Sequence, residues 1–438
     1  MINFKSPKRL PPLLSEACQI HLRCIMKAIN DVHPRRRFFN LDDEPFQYPK
    51  QVMIAIGKNA LEMALSCNEK SKTGFQKVYV LQVAGYYAED SLKLMPADWF
   101  FVETSHPLPD KQTFEASKHV LDYLQSLDED TAVHFCVSGG ASSSFALPEI
   151  GLTERLYNDI VKQAMNSGFD IYQLNYIRAL IDQTKGGKTG ALIPNNIIHT
   201  WVVSDIIDDN PAYVGSGPTV TGMRRDPEME DWLQKILADL GADVRFEYLL
   251  ELFGVAQDDR RNHTPHLVTT RKDFAKALQE RLTKSGFSNE IVSIDLQGSV
   301  HTCAIEIMKK IAKTASTATE ELRHTLIWMG EPTIELTEEA SKGKGGRISA
   351  LSILMAEHLK NHPNILFLGL ATDGKDGQSP DAGYVVSAET WDHLRPLGGP
   401  YSILKKGNSG MALSSLGYGI SLSHTQINLL DLFLVIFI

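Results

Sequence analysis

The chain has 438 residues, 43% of them hydrophobic, and a formal net charge of -9. That length exceeds what one hydrophobic core ordinarily supports, so two domains are expected. The negative balance excludes nucleic acid and anionic membrane as general partners, because both select for positive surface. The cysteines at 18, 24, 67, 136 and 303 are scattered with no Cys-x-x-Cys pair, which argues against a disulfide framework or a structural zinc site and for a reducing, cytoplasmic compartment. The N-terminus lacks the basic-then-apolar pattern of a secretory signal. The longest apolar run, 432–438, is far shorter than the roughly 20 residues of a membrane helix and reads as a buried terminal strand.

Along the first half, short β-branched runs alternate with helical patterns, the signature of βαβ units and a parallel sheet. The segment 52–56 is the first clear strand, and it runs into Gly57, Lys58 and a helical pattern over 59–65. A lysine at such a strand-to-helix junction can neutralise phosphate oxygens as they gain charge, and a solvated surface lysine is the competing account. Further strands are expected at 77–81, 99–102, 133–137 and 200–204, with amphipathic stretches such as 114–127 between them. The strand over 133–137 opens into Ser138, Gly139, Gly140, Ala141 and Ser142. A strand, glycine loop and helix in that order expose backbone N–H donors and form a phosphate or carboxylate cradle, although a tight turn alone also asks for glycine. Lys185, Gly186 and Gly187 form another such loop. Asp205 and Asp373 end strands, where a carboxylate holds Mg²⁺ or accepts a hydroxyl proton; for Asp208, Asp209 and Asp376, helix capping or turn formation is the preferred reading.

Polar sections at 221–231 and 257–265 are the boundary candidates, and the second half has its own βα pattern, with strands at 266–270, 325–329, 333–336, 365–370 and the tail. Between two of these lies a basic, glycine-spaced run from Ser341 to Arg347, with Lys342, Lys344, Gly345 and Gly346, suited to an anion beside a helix N-terminus, a flexible surface loop solvated by its lysines being the competing account. Familiar motifs are excluded. The P-loop needs a glycine where Asp182 stands, the nucleophile elbow needs one where Ser144 stands, and Lys375 and Gly377 occupy EF-hand ligand positions.

Taken together, Ile56-Gly-Lys58, Ser105-His-Pro-Leu-Pro-Asp110, Ser138-Gly-Gly-Ala-Ser142, Asn175-Tyr-Ile-Arg178 with Lys185-Gly-Gly187, Val203-Ser-Asp205, Gly215-Ser-Gly-Pro-Thr219, Gly330-Glu-Pro-Thr333, Gly343-Lys-Gly-Gly-Arg347 and Thr372-Asp-Gly374 leading to Asp381 resemble the glycerate 2-kinase family, whose C-terminal half is called the MOFRL domain. The resemblance spans nearly the whole chain. It implies two three-layer α/β domains with mainly parallel sheets and an interdomain active-site cleft, the N-terminal Rossmann-like domain over 1–245 and the MOFRL-type domain over 246–438. It also implies ATP-dependent phosphorylation of D-glycerate, or a related hydroxy acid, to 2-phosphoglycerate with ATP and Mg²⁺, homo-oligomerisation being left open. Lys58, Arg347 and Asp205 would be catalytic, with Lys58 and Arg347 facing one another. Ser138, Gly139, Gly140, Ser142, Lys185, Gly186, Gly187, Gly345 and Gly346 would bind phosphate or nucleotide, and Asp205 and Asp373 the metal. The chain departs from the family at Ala141, which replaces a glycine, and at Ile348-Ser-Ala350, which replaces Asn-Gln-Glu. The rivals are a hydroxypyruvate reductase, whose Gly-x-Gly-x-x-Gly fingerprint is absent after the early strands, and a non-catalytic ligand-binding relative.

Overall fold

The computed structural model describes residues 4–438 apart from 6, 207, 258–262, 318–322, 335–341, 423, 424 and 426. These residues form two compact units, one made of Met1–Val32 with Arg271–Ile438 and the other of His33–Thr270. The first, split unit begins with a two-residue strand, β1 (Phe4–Lys5), and the helix Pro12–Val32. Leu14, Cys18, Leu22, Ile25, Ile29 and Val32 recur every three or four residues on the buried side of that helix, which packs along the helix Arg271–Lys284. An Arg281–Asp31 ion pair at 2.6 Å and a His21 Nε2 to Thr325 Oγ1 hydrogen bond at 2.8 Å fasten it there. The division therefore falls at 32/33 and 270/271, whereas the sequence places a single boundary at 245/246. An apolar helix stripe specifies that it must be covered, not which distant segment covers it.

In the central unit, β2 (Gln51–Gly57), β3 (Lys77–Val83), β4 (Phe100–Thr104), β5 (Ala132–Val137), β6 (Ile198–Val203) and β7 (His263–Thr269) form one parallel sheet in the order β4-β3-β2-β5-β6-β7. β2, β5 and β6 are buried along their whole length, as a parallel strand covered by helices on both faces must be. This is the doubly wound order, and the direction of winding reverses between β2 and β5. The strand expected over 266–270 is β7. It closes the edge of this sheet beside β6 rather than opening the second domain. Its composition announces a strand but carries no information about its neighbour.

The split unit continues with β8 (Ser288–Leu296), β9 (His324–Gly330), β10 (Ile365–Ala371), β11 (Gly383–Val386), β12 (Gly419–Leu422) and β13 (Asp431–Phe437), in the order β1-β12-β11-β10-β13-β9-β8. Among the described residues only β8 and β9 run parallel; the other pairings are antiparallel, which corrects the expectation of a second mainly parallel sheet. The apolar runs of β10 and β13 signal burial on both faces, which holds for a covered strand of either direction. Residues 372–382 join β10 to β11 without a helix, and so short a link returns the chain antiparallel. Of the strand expected over 333–336, Thr333 makes an isolated bridge to Ser299, and residues 335 and 336 lie outside the described residues, as does Ser341. No helix among the described residues is long and apolar enough to cross a membrane.

Candidate functional site

Ligands of doubly wound sheets bind beyond the carboxyl ends of the strands where the winding reverses. In the central unit that point lies between the loops after β2 and β5, and the chain binds the two together. The Lys58 N–H donates to Gly139 O at 2.8 Å, and the Asn59 N–H donates to Ser138 Oγ at 3.0 Å, while that hydroxyl donates to Ile56 O at 3.2 Å. From β3, the Gln82 amide donates to Lys58 O at 2.9 Å and accepts from Leu61 N at 2.9 Å, which fixes the start of the helix Ala60–Lys70. The Lys58 backbone is thereby immobilised, while its ammonium lies 4.8 Å from the centre of the Tyr86 ring.

Gly140 sits at φ 80, in the left-handed region that favours glycine. A β-carbon there would lie 3.2 Å from Lys58 Cγ and 3.4 Å from His106 Cδ2, so the lysine stem and the imidazole edge both border this residue. At Gly139 a β-carbon would collide with the Asp205 carboxylate. Gly139 thus brings Asp205, from the end of β6, onto the same loop as Lys58. Among the described residues no backbone acceptor takes the N–H of Gly139 or Gly140, whereas those of Ala141, Ser143 and Ser144 bond within the loop. Ala141 is the first residue of the short helix Ala141–Ser144, so its methyl group meets no left-handed strain and the replacement of the family's glycine is tolerated.

Sequence reasoning assigned no role to Arg178, yet it belongs here. It lies on the helix Ile171–Ile181, one turn beyond Asn175 and on the same face. Asn175 donates to Tyr213 O at 2.9 Å and accepts from Ser216 Oγ at 2.8 Å, and Ser216 Oγ meets Ser142 Oγ of the glycine loop at 2.9 Å. Arg178 is 8% exposed, and among the described residues its guanidinium makes no hydrogen bond or ion pair. Burial holds its pKa below the ordinary value, against the pull of Tyr157 and Asp182. The nearby His106 is held low by desolvation and then by the charges of Lys58 and Arg178. Lys58 likewise has no carboxylate at ion-pair distance among the described residues. Two cations without an ion-paired carboxylate among the described residues, an imidazole held neutral and glycine amides without a backbone acceptor thus lie around the 138–142 loop. The signal for Arg178 was a lone charge in the apolar run Ile171–Ile181.

The loop after that helix has a different task from the expected cradle. Lys185 is fully buried; its ammonium donates to Phe145 O and to Thr184 Oγ1 at 3.0 Å and lies 3.5 Å from the Asp182 carboxylate. Desolvation lowers its pKa to about 8. The Gly186 and Gly187 amides donate to Ser216 O at 2.9 Å and Gly217 O at 2.7 Å. These bonds position the 215–219 segment, whose Ser216 meets Ser142 of the glycine loop, and commit the Lys185 ammonium and both glycine amides to protein.

The split unit's basic loop is also occupied. Side chains at Gly345 and Gly346 would collide with Ser409 and with Asp376 respectively, so these glycines permit close packing. Asp376 accepts from Ile348 N and Ser349 N, each at 3.0 Å, and so fills the N-terminus of the helix Arg347–His358. Ile348 is buried in the core, and Ser349 Oγ accepts from Gly346 N at 2.9 Å, so the Ile-Ser-Ala departure faces inward. Arg347 is held by Asp431, at the start of β13, to which the sequence gave no role, and at 2.9 Å by Glu331 of the Gly330-Glu-Pro-Thr333 motif. Burial works against the Arg347 charge, but Asp431, Glu331 and Asp376 outweigh it and hold its pKa above the ordinary value. Burial pushes the Asp431 carboxyl up to about 7, with Arg347 opposing. Asp373 Oδ1 accepts from Lys375 N at 3.0 Å and closes a turn, as Asp208 does with Asn210 N at 3.1 Å.

Residues 20–246 match the family model described as "Domain of unknown function (DUF4147)", and residues 324–431 match the MOFRL family. The chain is 25% identical to a D-glycerate 2-kinase of Thermotoga maritima over 423 residues, 94% of this chain and 97% of the relative. It is 27% identical to a glycerate 2-kinase of Pyrococcus horikoshii over 418 residues, 91% and 92% of the two chains. Its fold superimposes on the crystal structure of a glycerate kinase from Thermotoga maritima with a TM-score of 0.79 at 24% identity, covering 96% of this chain and 99% of the other.

Proposed function

Since the chain belongs to the glycerate 2-kinase family, we propose that it is an ATP-dependent kinase that converts D-glycerate to 2-phosphoglycerate. The carrying observation is that Lys58 and Arg178, neither in an ion pair with a carboxylate among the described residues, flank a glycine loop whose Gly139 and Gly140 amides have no backbone acceptor. Phosphoryl transfer asks little covalent help of a protein and much positioning and charge neutralisation. In this reading Lys58 neutralises the transferring phosphoryl group, and the Ser138–Ser142 loop receives nucleotide phosphates. Asp373 supports the turn after β10 rather than a metal.

Mg²⁺ is ordinarily held by one or two carboxylates together with the phosphates it accompanies. Asp205, against Gly139, fits that mode, and no group of three or more His, Cys, Asp or Glu is placed to hold a metal ion among the described residues. When bound, the ion neutralises phosphate oxygens; Asp205 either holds it or accepts the hydroxyl proton. A reductase is disfavoured because the position on β3 facing Gly57, where a dinucleotide site places its ribose-binding acid, is Gln82, and its amide is committed to Lys58 and Leu61.

The test is a coupled ADP-release assay with D-glycerate and identification of the product. ATP-dependent formation of the 2-phosphate is expected. NADH consumption with hydroxypyruvate, or nucleotide binding without any product across a panel of hydroxy acids, would overturn it.

A further inference from the structure

The reading above leaves the substrate's own anion without an assigned partner. A hydroxy acid carries a planar carboxylate that must be held while its hydroxyl reacts, and the two free cations of the central unit differ in the anion they suit. Lys58 is a half-buried point charge at the glycine loop, matched to a phosphoryl group that moves. Arg178 is a planar fork on a helix anchored through Asn175, and it is more than nine-tenths buried with no hydrogen bond of its own among the described residues. Asp182 beside it eases its charge through space but makes no hydrogen bond or ion pair with it among the described residues. Asp182 is already bonded by Leu147 N at 3.2 Å, Thr184 N and Thr184 Oγ1 at 2.8 Å and Tyr157 OH at 2.7 Å, with Lys185 also paired to it. A desolvated guanidinium without a bidentate partner is a costly feature for a fold to carry unless a ligand supplies the partner.

We propose that Arg178 grips the carboxylate of the hydroxy-acid substrate as a bidentate clamp and so selects 2-hydroxy acids over neutral alcohols, leaving Lys58 to the phosphoryl group. This inference rests on the kinase reading for its substrate class. The second, independent support is position: Arg178 shares the helix face of Asn175, whose contact runs through Ser216 to Ser142 of the glycine loop, and its charge is felt at His106, which borders Gly140 with Lys58. A carboxylate on Arg178 therefore lies within the compass of the loop that would receive the nucleotide.

The experiment is calorimetric titration of the full-length chain and its R178K and R178M variants with D-glycerate and, separately, with inorganic phosphate, alongside thermal melting. R178K keeps the charge and removes the fork, and should weaken D-glycerate binding by about 10- to 100-fold while phosphate binding is unchanged. R178M removes a buried cation that makes no hydrogen bond or ion pair among the described residues and should melt no lower than wild type. Unchanged D-glycerate affinity in R178K, an equal loss of phosphate affinity, or a large drop in the melting temperature of R178M would each overturn the clamp, the last by showing a structural arginine. A wild-type chain that binds D-glycerate without ATP-dependent turnover overturns the kinase reading alone. One that binds no D-glycerate overturns both.

Discussion

The two glycine-rich loops look alike in sequence and do opposite things. The loop 343–347 is full: its glycines admit neighbouring backbone and the Asp376 carboxylate, the helix amides after it are capped by that same carboxylate, and its arginine is held by Asp431 and Glu331. In the loop 138–142, Gly139 and Gly140 keep amides without a backbone acceptor, and no carboxylate forms an ion pair with the neighbouring cations Lys58 and Arg178 among the described residues. Glycine in a loop means only that something approaches closely. In one loop the approaching groups are backbone and a capping carboxylate; in the other they are Asp205, Lys58 and His106, side chains whose chemistry suits a ligand.

Four measurements test this contrast. The largest effect is expected from K58A, which removes a cation the fold does not use. Its kcat should fall by about 10²–10³, the scale of losing one preorganised charge-stabilising donor, with the melting temperature unchanged; retained turnover would remove Lys58 from the mechanism. G346A should behave in the reverse sense, forcing a methyl group against Asp376 and lowering stability by about 1–3 kcal/mol, read by urea denaturation. If G346A melts like wild type, that loop is not the packed element described. D376N keeps the shape but weakens the cap on Ile348 and Ser349, and about 1 kcal/mol of lost stability is expected in the same assay. The smallest is a slope. Because burial raises Asp431 to about 7 from an unfolded value of about 3.9, its protonation favours the fold; that contribution is complete below about pH 4 and is lost as pH rises through 7. D431N should therefore gain on wild type in melting temperature between pH 4 and pH 7, and a difference that does not change with pH would contradict the assigned burial.

Much of the fold was legible because strands buried on two faces advertise themselves. The expected strands at 52–56, 77–81, 133–137, 325–329 and 365–370 all lie within observed ones. β8 escaped because its serines, asparagine and acids alternate with only half-buried apolar residues at a sheet edge. Within the candidate site, Lys58, Asp205 and the 138–142 loop were legible as chemistry at strand ends. Arg178 and Asp431 were not, since a buried charge is informative only once its partners, or their absence, are known. Lys185 misled for the same reason, its ammonium being turned inward to Phe145 and Asp182.

The sequence alone determined the local alphabet: which runs must be strands, where loops of glycine and lysine interrupt them, and which family order those loops follow. These depend on side chains within a few positions of one another, and pattern and propensity act at that range. Tertiary structure decided which strand lies beside which, in what direction, and whether each loop's amides and charges were already satisfied. Pairing partners and burial are set by residues tens to hundreds of positions away, and the loop at 138–142 differs from the one at 343–347 only in what such distant residues bring to it.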